Sequence, residues 1–63
     1  MIIFCDINKF ELNQPIYLVD PNTNNYSLLQ TAAMDDIGHV VSKLSYEQHV
    51  SEIILSGGNE NFL

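Results

Sequence analysis

Cysteine is nearly absent from this sequence, and Cys5 is the single example in 63 residues. No internal disulfide can form, which for so small a scaffold indicates a reducing compartment. Cys5 follows four apolar residues and precedes Asp6, whose negative charge opposes formation of a thiolate. The sequence therefore predicts that Cys5 is a small buried hydrophobic residue without a redox role.

Basic residues are almost as scarce, because Lys9 and Lys43 stand against 8 acidic residues and the formal net charge is −6. A chain of this charge is repelled by phosphate backbones and by anionic lipid. Nucleic-acid-binding surfaces normally show a cluster or stripe of Lys and Arg, and these two lysines are isolated. Direct nucleic-acid binding is not expected.

Long apolar runs are missing as well. No run approaches the ~20 residues that a membrane span requires, and the N-terminus lacks the basic region of a signal peptide. We therefore expect no membrane association and a cytoplasmic location. Hydrophobic residues still make up 46% of the chain, a share typical of globular proteins. We predict a single small domain over residues 1–63, since so short a chain has little core to divide.

The first half of the chain reads as strands and turns. Residues 1–7 are apolar apart from Asp6 and predict a central strand that is largely covered on both faces. Residues 8–14 fit a half-exposed strand or the arm of a hairpin. Pro15 cannot donate a ladder hydrogen bond, so it is predicted to open the next strand, 16–19, at its first position or at the sheet edge.

The sequence 20–25, Asp-Pro-Asn-Thr-Asn-Asn, combines the residues that turns prefer and predicts a hairpin leading into a strand over 26–30. Tyr and Phe residues fall at positions in these strands that are typical of a core. A fourth strand is predicted over 50–55. It is followed by Ser56, Gly57 and Gly58, which are predicted to stop it.

One helix is predicted between these strands, capped by Thr31 or alternatively by Asp35. Its apolar residues recur at helical spacing and form one stripe. The stripe consists of Ile37, Val40, Val41 and Leu44. Gly38 is unfavourable in a helix and indicates close packing against the sheet. The predicted order is β-β-β-α-β, an α+β fold with a small mixed or antiparallel sheet of about four strands and one amphipathic helix packed on it.

Candidate catalytic groups are few, and no catalytic residue, metal site or cofactor is predicted. Asp20 is explained by its turn, and Asp35 and Asp36 by the positive end of the helix dipole. His39 and His49 are ten residues apart, a spacing that does not place two ligands on one helical face. Both are expected at the surface or half-buried.

Asp6 is the exception among the acids, because it interrupts an apolar strand and must face solvent, a partner or a cation. Simple exposure at a strand end is the favoured interpretation. The backbone N–H groups of a glycine turn can approach a phosphate closely, although a strand stop is favoured here. The candidate ligand-binding residues are Asp6, Ser56, Gly57 and Gly58.

The element order, with Asp6 in the first strand, resembles the opening half of the ribonuclease H-like fold, which nucleases and actin-like ATPases share. The segment 53–58, Ile-Ile-Leu-Ser-Gly-Gly, looks like the strand and double glycine of the adenosine motif in actin-like ATPases. The resemblance to nucleases implies further acidic residues within the helix, where this chain has Val40 and Val41. The ATPase likeness lacks a glycine-rich turn after the first strand. The resemblance thus implies a fold and not a chemistry.

We therefore expect a non-catalytic module that acts through contacts with a protein partner. The alternative is a truncated or degenerate ribonuclease H-like or actin-like unit that binds a nucleotide or divalent metal. A third interpretation is an acidic mimic of nucleic acid. Self-association is also predicted, because a small core without disulfide or metal gains by covering its edges. Phe62 and Leu63, two apolar residues at the chain end, are the candidate interface of this homodimer.

Overall fold

The computed structural model describes residues 1–8 and 10–57. These residues form one mixed sheet and one helix in the predicted order, which confirms the α+β class. The elements are β1 (Ile2–Ile7), β2 (Asn13–Asp20), β3 (Asn25–Ala33), α1 (Ile37–Gln48) and β4 (Glu52–Gly57). The sheet has the order β3-β2-β1-β4, in which β4 is parallel to β1 and the other neighbours are antiparallel.

β1 is an internal strand, as predicted, but only one of its faces is fully covered. Ile3 and Cys5 are completely buried in the core, whereas Ile2 and Phe4 on the opposite face are half-buried and Asp6 is exposed. The helix side is covered more completely than the opposite side because one helix can pack on only one side of a sheet.

The connection from β1 to β2 is a turn and not a hairpin arm. The Glu11 N–H donates to the Asn8 carbonyl at 2.9 Å, and the Phe10 N–H donates to Asn8 Oδ1 at 3.0 Å. Gln14 is completely buried and stabilises the turn with its side-chain amide. Its Nε2 donates to the Glu11 carbonyl, and its Oε1 accepts the Asn8 N–H. Both ends of a buried polar side chain are thereby satisfied.

Pro15 is the third residue of β2, and β2 lies between β3 and β1, so its predicted placement was wrong. Pro15 pairs with Thr31 of β3, while the ladder to β1 starts one residue later, at Ile16 opposite Cys5. The missing N–H therefore falls beyond the end of that ladder, where an internal strand can accept proline.

The hairpin between β2 and β3 is confirmed. The Asn22 N–H donates to Asp20 Oδ1 at 3.0 Å, and Asn24 adopts the left-handed conformation with φ 61°. β3 runs further than predicted, to Ala33, so Thr31 is a strand residue and not a helix cap. An extra residue in β3, Leu29, shifts the register opposite Ile16 and Tyr17 and packs against the core.

The helix begins at Ile37 after Asp36, whose side chain makes no capping hydrogen bond, so neither predicted cap is used. The predicted apolar stripe is confirmed as core, with Val40 half-buried and the other members buried. The buried core consists of Ile3, Cys5, Ile16, Ala32, Ile37, Val41 and Leu44. Gly38 is exposed and a Cβ there would meet no atom within 4 Å, so the expected close packing on the sheet was wrong.

β4 extends through Ser56 and Gly57, which are strand residues rather than the predicted stop. Gly58, Phe62 and Leu63 lie outside the described residues. α1, with 12 residues, is too short to cross a membrane, and it is the one helix in the described part of the chain.

Candidate functional site

The face of the sheet opposite the helix is apolar and uncovered by any described residue. Paired residues on adjacent strands point to the same side, so the register assigns each side chain to a face. Ile2 pairs with Val19, Phe4 with Tyr17 and with Ile54, and Tyr17 with Leu28. We call this surface the open face, and its apolar members are Ile2, Phe4, Tyr17, Val19, Tyr26, Leu28 and Ile54.

Three aromatic rings lie next to one another on the open face, one each on β1, β2 and β3. The Phe4 and Tyr17 rings stack with centroids 6.4 Å apart, and the Tyr17 and Tyr26 rings meet edge to face at 5.4 Å. Together with Val19 they line an open depression of about 260 Å³. Tyr26 is 70% exposed, which corrects the expectation that the Tyr and Phe positions in the strands are core, and Leu28 is 55% exposed.

The charged residues that the described strands place on the open face are negative. Asp6 and Glu52 are exposed there, at opposite ends of the paired strands β1 and β4. The four strands contain no Lys, Arg or His, and Lys43 lies on the helix. An apolar centre with acidic margins is the electrostatic character of this surface.

The sequence-predicted ligand site is assembled in part. The β1–β4 register places Asp6 beside Ser56 and Ile7 beside Gly57, so the candidate residues that the structure describes are neighbours. Asp6 and Ser56 share the open face, with Asp6 exposed and Ser56 half-buried. One carboxylate and one hydroxyl are few ligands for Mg²⁺ or Ca²⁺, which take six or more oxygens.

Other titratable residues do not converge on Asp6. Asp20 follows Val19, which pairs with Ile2 at the opposite end of β1. Among residues 1–8 and 10–57, no three His, Cys, Asp or Glu side chains are grouped as metal ligands would be. His39 and His49 are exposed, as expected, and His49 ends the helix in the left-handed conformation.

Cys5 is buried in the core, as the sequence predicted. Burial and, to a smaller extent, the negative charge of Asp6 raise the pKa of the Cys5 thiol to about 11. The thiol is therefore protonated at neutral pH, and a protonated thiol is a poor nucleophile.

Comparisons of the chain with protein families, with curated proteins and with solved structures find no match. The resemblance to the ribonuclease H-like fold thus stays a prediction. The open face is an apolar surface on the described part of the chain and contains the exposed side chains of Tyr26 and Leu28.

The residues of the open face were not identified from the sequence, although their signal is present in β2. The segment Ile16-Tyr17-Leu18-Val19 is apolar at four successive positions, so both faces of this strand carry apolar side chains. Since the described residues contain one helix, it can cover only one of those faces. Strand periodicity alone does not say which face that is.

Proposed function

We propose that this chain is a non-catalytic protein-interaction module, and that its open face binds a basic amphipathic helix of a partner protein. The observation that supports the proposal is the apolar character of the open face, where Tyr26 and Leu28 of the edge strand β3 are more than half exposed. Exposed apolar patches with polar margins are typical of protein interaction sites.

The dimensions of the sheet favour a helix as the occupant. Four strands spaced about 4.8 Å apart present a surface roughly 14 Å wide between the outermost backbones. A helix with its side chains is about 10 Å across, so one helix covers the aromatic centre. The partner helix would supply what α1 supplies on the other face, an apolar stripe facing the sheet.

The charge of the chain favours a basic partner. The net charge is −6, and both charged side chains on the open face, Asp6 and Glu52, are acidic. Lys and Arg beside the apolar stripe of the partner helix would lie near these carboxylates. Such complementarity accelerates association and selects against acidic partners.

A designed peptide can test the proposal. The probe is a helical peptide of roughly 14 residues, built from Leu and Lys at amphipathic spacing. It is titrated into the ¹⁵N-labelled full chain and followed by amide chemical shifts. We expect the largest shifts at Tyr17, Val19, Tyr26 and Leu28, and weaker binding by a peptide with Glu in place of Lys.

Matched variants distinguish specific binding at the open face from nonspecific binding elsewhere on the chain. Tyr26→Ser and Leu28→Ser are expected to reduce affinity at least threefold each, while Tyr46→Ser, at an 82% exposed aromatic residue on the helix, leaves it unchanged. Shifts that centre on α1, or equal binding by a scrambled Leu/Lys peptide, would contradict the proposal.

A second candidate function is the binding of a nucleotide or divalent metal at Asp6, Ser56 and Gly57, with Gly58 beyond the described residues. The specific observation in its favour is the β1–β4 register, which makes these strand residues neighbours. Calorimetry with ATP and Mg²⁺ or Mn²⁺ tests it, with Asp6→Asn as the control. If millimolar ligand produces no heat and no thermal shift, this candidate is removed, because a ligand that binds the native state stabilises it.

A further inference from the structure

The two edges of the sheet differ in their suitability for strand pairing. β3, at one edge, carries a bulge at Leu29 that interrupts its pairing register. β4, at the other edge, pairs with β1 without a register shift, and no described residue pairs with its outer side. Bulges blunt an edge, whereas a regular apolar strand offers free backbone groups to another strand.

β4 is also apolar on both faces. Ile54 lies on the open face, while Ile53 and Leu55 pair with Ile3 and Cys5 and therefore lie on the helix side. The helix packs against β1 and β3, and Ile53 and Leu55 are left 44% and 38% exposed. Two large aliphatic side chains are thus exposed next to the core, on the one strand with a free regular edge.

We infer that a second copy of this chain pairs with the outer edge of β4, antiparallel and around a two-fold axis through Ile54. This interface lies along the outer edge of β4 and does not include the aromatic rings of the open face, so it does not depend on the proposed function. The pairing extends the sheet across both copies in the order β3-β2-β1-β4-β4-β1-β2-β3. A two-fold that joins antiparallel edge strands is perpendicular to the sheet, so both helices lie on the same side.

The register follows from the side chains that need cover. A two-fold through Ile54 sets Ile53 opposite Leu55 of the second copy, and it does so twice. Each exposed aliphatic side chain then contacts the other across the strand pair, at a Cβ separation of about 5 Å. A two-fold through Leu55 would instead set Ile53 opposite Gly57, which offers no side chain for it to contact.

The charges of β4 fit the same register. Glu52 is the only charged residue of this strand, at its start. The two-fold through Ile54 places Glu52 opposite Ser56 of the second copy, so the like charges of the two strands are not opposed and the hydroxyl can donate to the carboxylate. Each copy carries a charge of −6, and added salt is therefore expected to strengthen the dimer.

Sedimentation equilibrium of the full chain, from about 10 µM to about 1 mM, measures the association. We expect a monomer–dimer equilibrium that Ile53→Lys weakens at least tenfold, because the new cation would face its apolar neighbour across the interface. The control is Leu28→Lys, at a similarly exposed site on the open face, which is expected to leave the equilibrium unchanged.

Cysteine crosslinking tests the register in a Cys5→Ala background. Ile54→Cys places two thiols opposite each other and is expected to give a disulfide-linked dimer on oxidation, whereas Glu52→Cys is not. A chain that stays monomeric at 1 mM overturns the inference. A dimer that Leu28→Lys abolishes also overturns it, as does one that requires Phe62 and Leu63.

Discussion

On the helix side of the sheet, Ile3 and Ile16 are completely buried. On the open face, one residue away along the same strands, Phe4 and Tyr17 are half-buried, and Tyr26 on the adjacent strand is 70% exposed. Both faces are apolar in sequence, and the difference arises because a single helix covers one of them. An apolar strand sequence therefore shows that either face could be buried. The position of the helix decides which face becomes the core.

The largest expected effect is the loss of stability when a charged residue is introduced on the helix side of the sheet and not on the open face. Val41→Asp or Leu44→Asp buries an unpaired carboxylate under the helix and is expected to prevent folding, a loss of about 4 kcal/mol or more. Leu28→Asp, on the open face, is expected to lower the free energy of unfolding by less than about 1 kcal/mol. Circular dichroism and thermal melting measure both. Unchanged melting of the helix variants would show that the stripe is not core.

The second effect depends on the Cys5 thiol on the covered side. The folded pKa is about 11 against an ordinary value of 9.0. The unfolded chain therefore loses its proton first, and stability falls as pH rises. The contribution is complete below pH 9 and is lost as the pH rises through 11, about 3 kcal/mol in all. Urea unfolding across this range should show the loss, and Cys5→Ala should be less sensitive to pH.

The same burial protects Cys5 from alkylation. Under native conditions at neutral pH we expect a maleimide to label Cys5 slowly, at a rate set by opening of the core. Labelling in urea should be fast and serves as the control. Fast native labelling would mean that β1 is not held inside the sheet as the structure has it.

A smaller effect sharpens the comparison on the open face. Tyr17 contacts both Phe4 and Tyr26 through its ring, so Tyr17→Ala removes two aromatic pairs. We expect a loss of about 1 to 2 kcal/mol in the free energy of unfolding. The exposed ring of Tyr46 has no such partner among the described residues, and Tyr46→Ala should change stability by less than about 0.5 kcal/mol. Equal losses would show that the aromatic contacts contribute no stability.

The smallest effect concerns the solvent side of the helix. Gly38 lies in the helix with open space around the position of a Cβ, and its φ is not positive. Gly38→Ala is therefore expected to stabilise the fold by about 0.5 to 1 kcal/mol, since alanine loses less backbone entropy. A destabilised variant would indicate a contact on this side of the helix that the described residues do not provide.

Local patterns in the sequence determined the element order, the turn at 20–25 and the buried side of the helix. These depend on short-range chemistry: a proline and asparagines that fit a turn, and apolar residues repeating every three or four positions. The exposure of Asp6 and the burial of Cys5 were predicted on the same basis. Each follows from the residue and its immediate neighbours.

The tertiary structure decided what pairing and packing control. β3 continues through Thr31 because its partner β2 extends to Asn13, and this pairing overrides the cap preference of threonine. Gln14 is buried because the β1–β2 turn offers both ends of its amide a partner. Ser56 and Gly57 are strand residues because β1 pairs with them along its whole length. The open face and the free edge of β4 exist for the same reason: strand order and helix placement are long-range choices, which the spacing of residues along the chain does not encode.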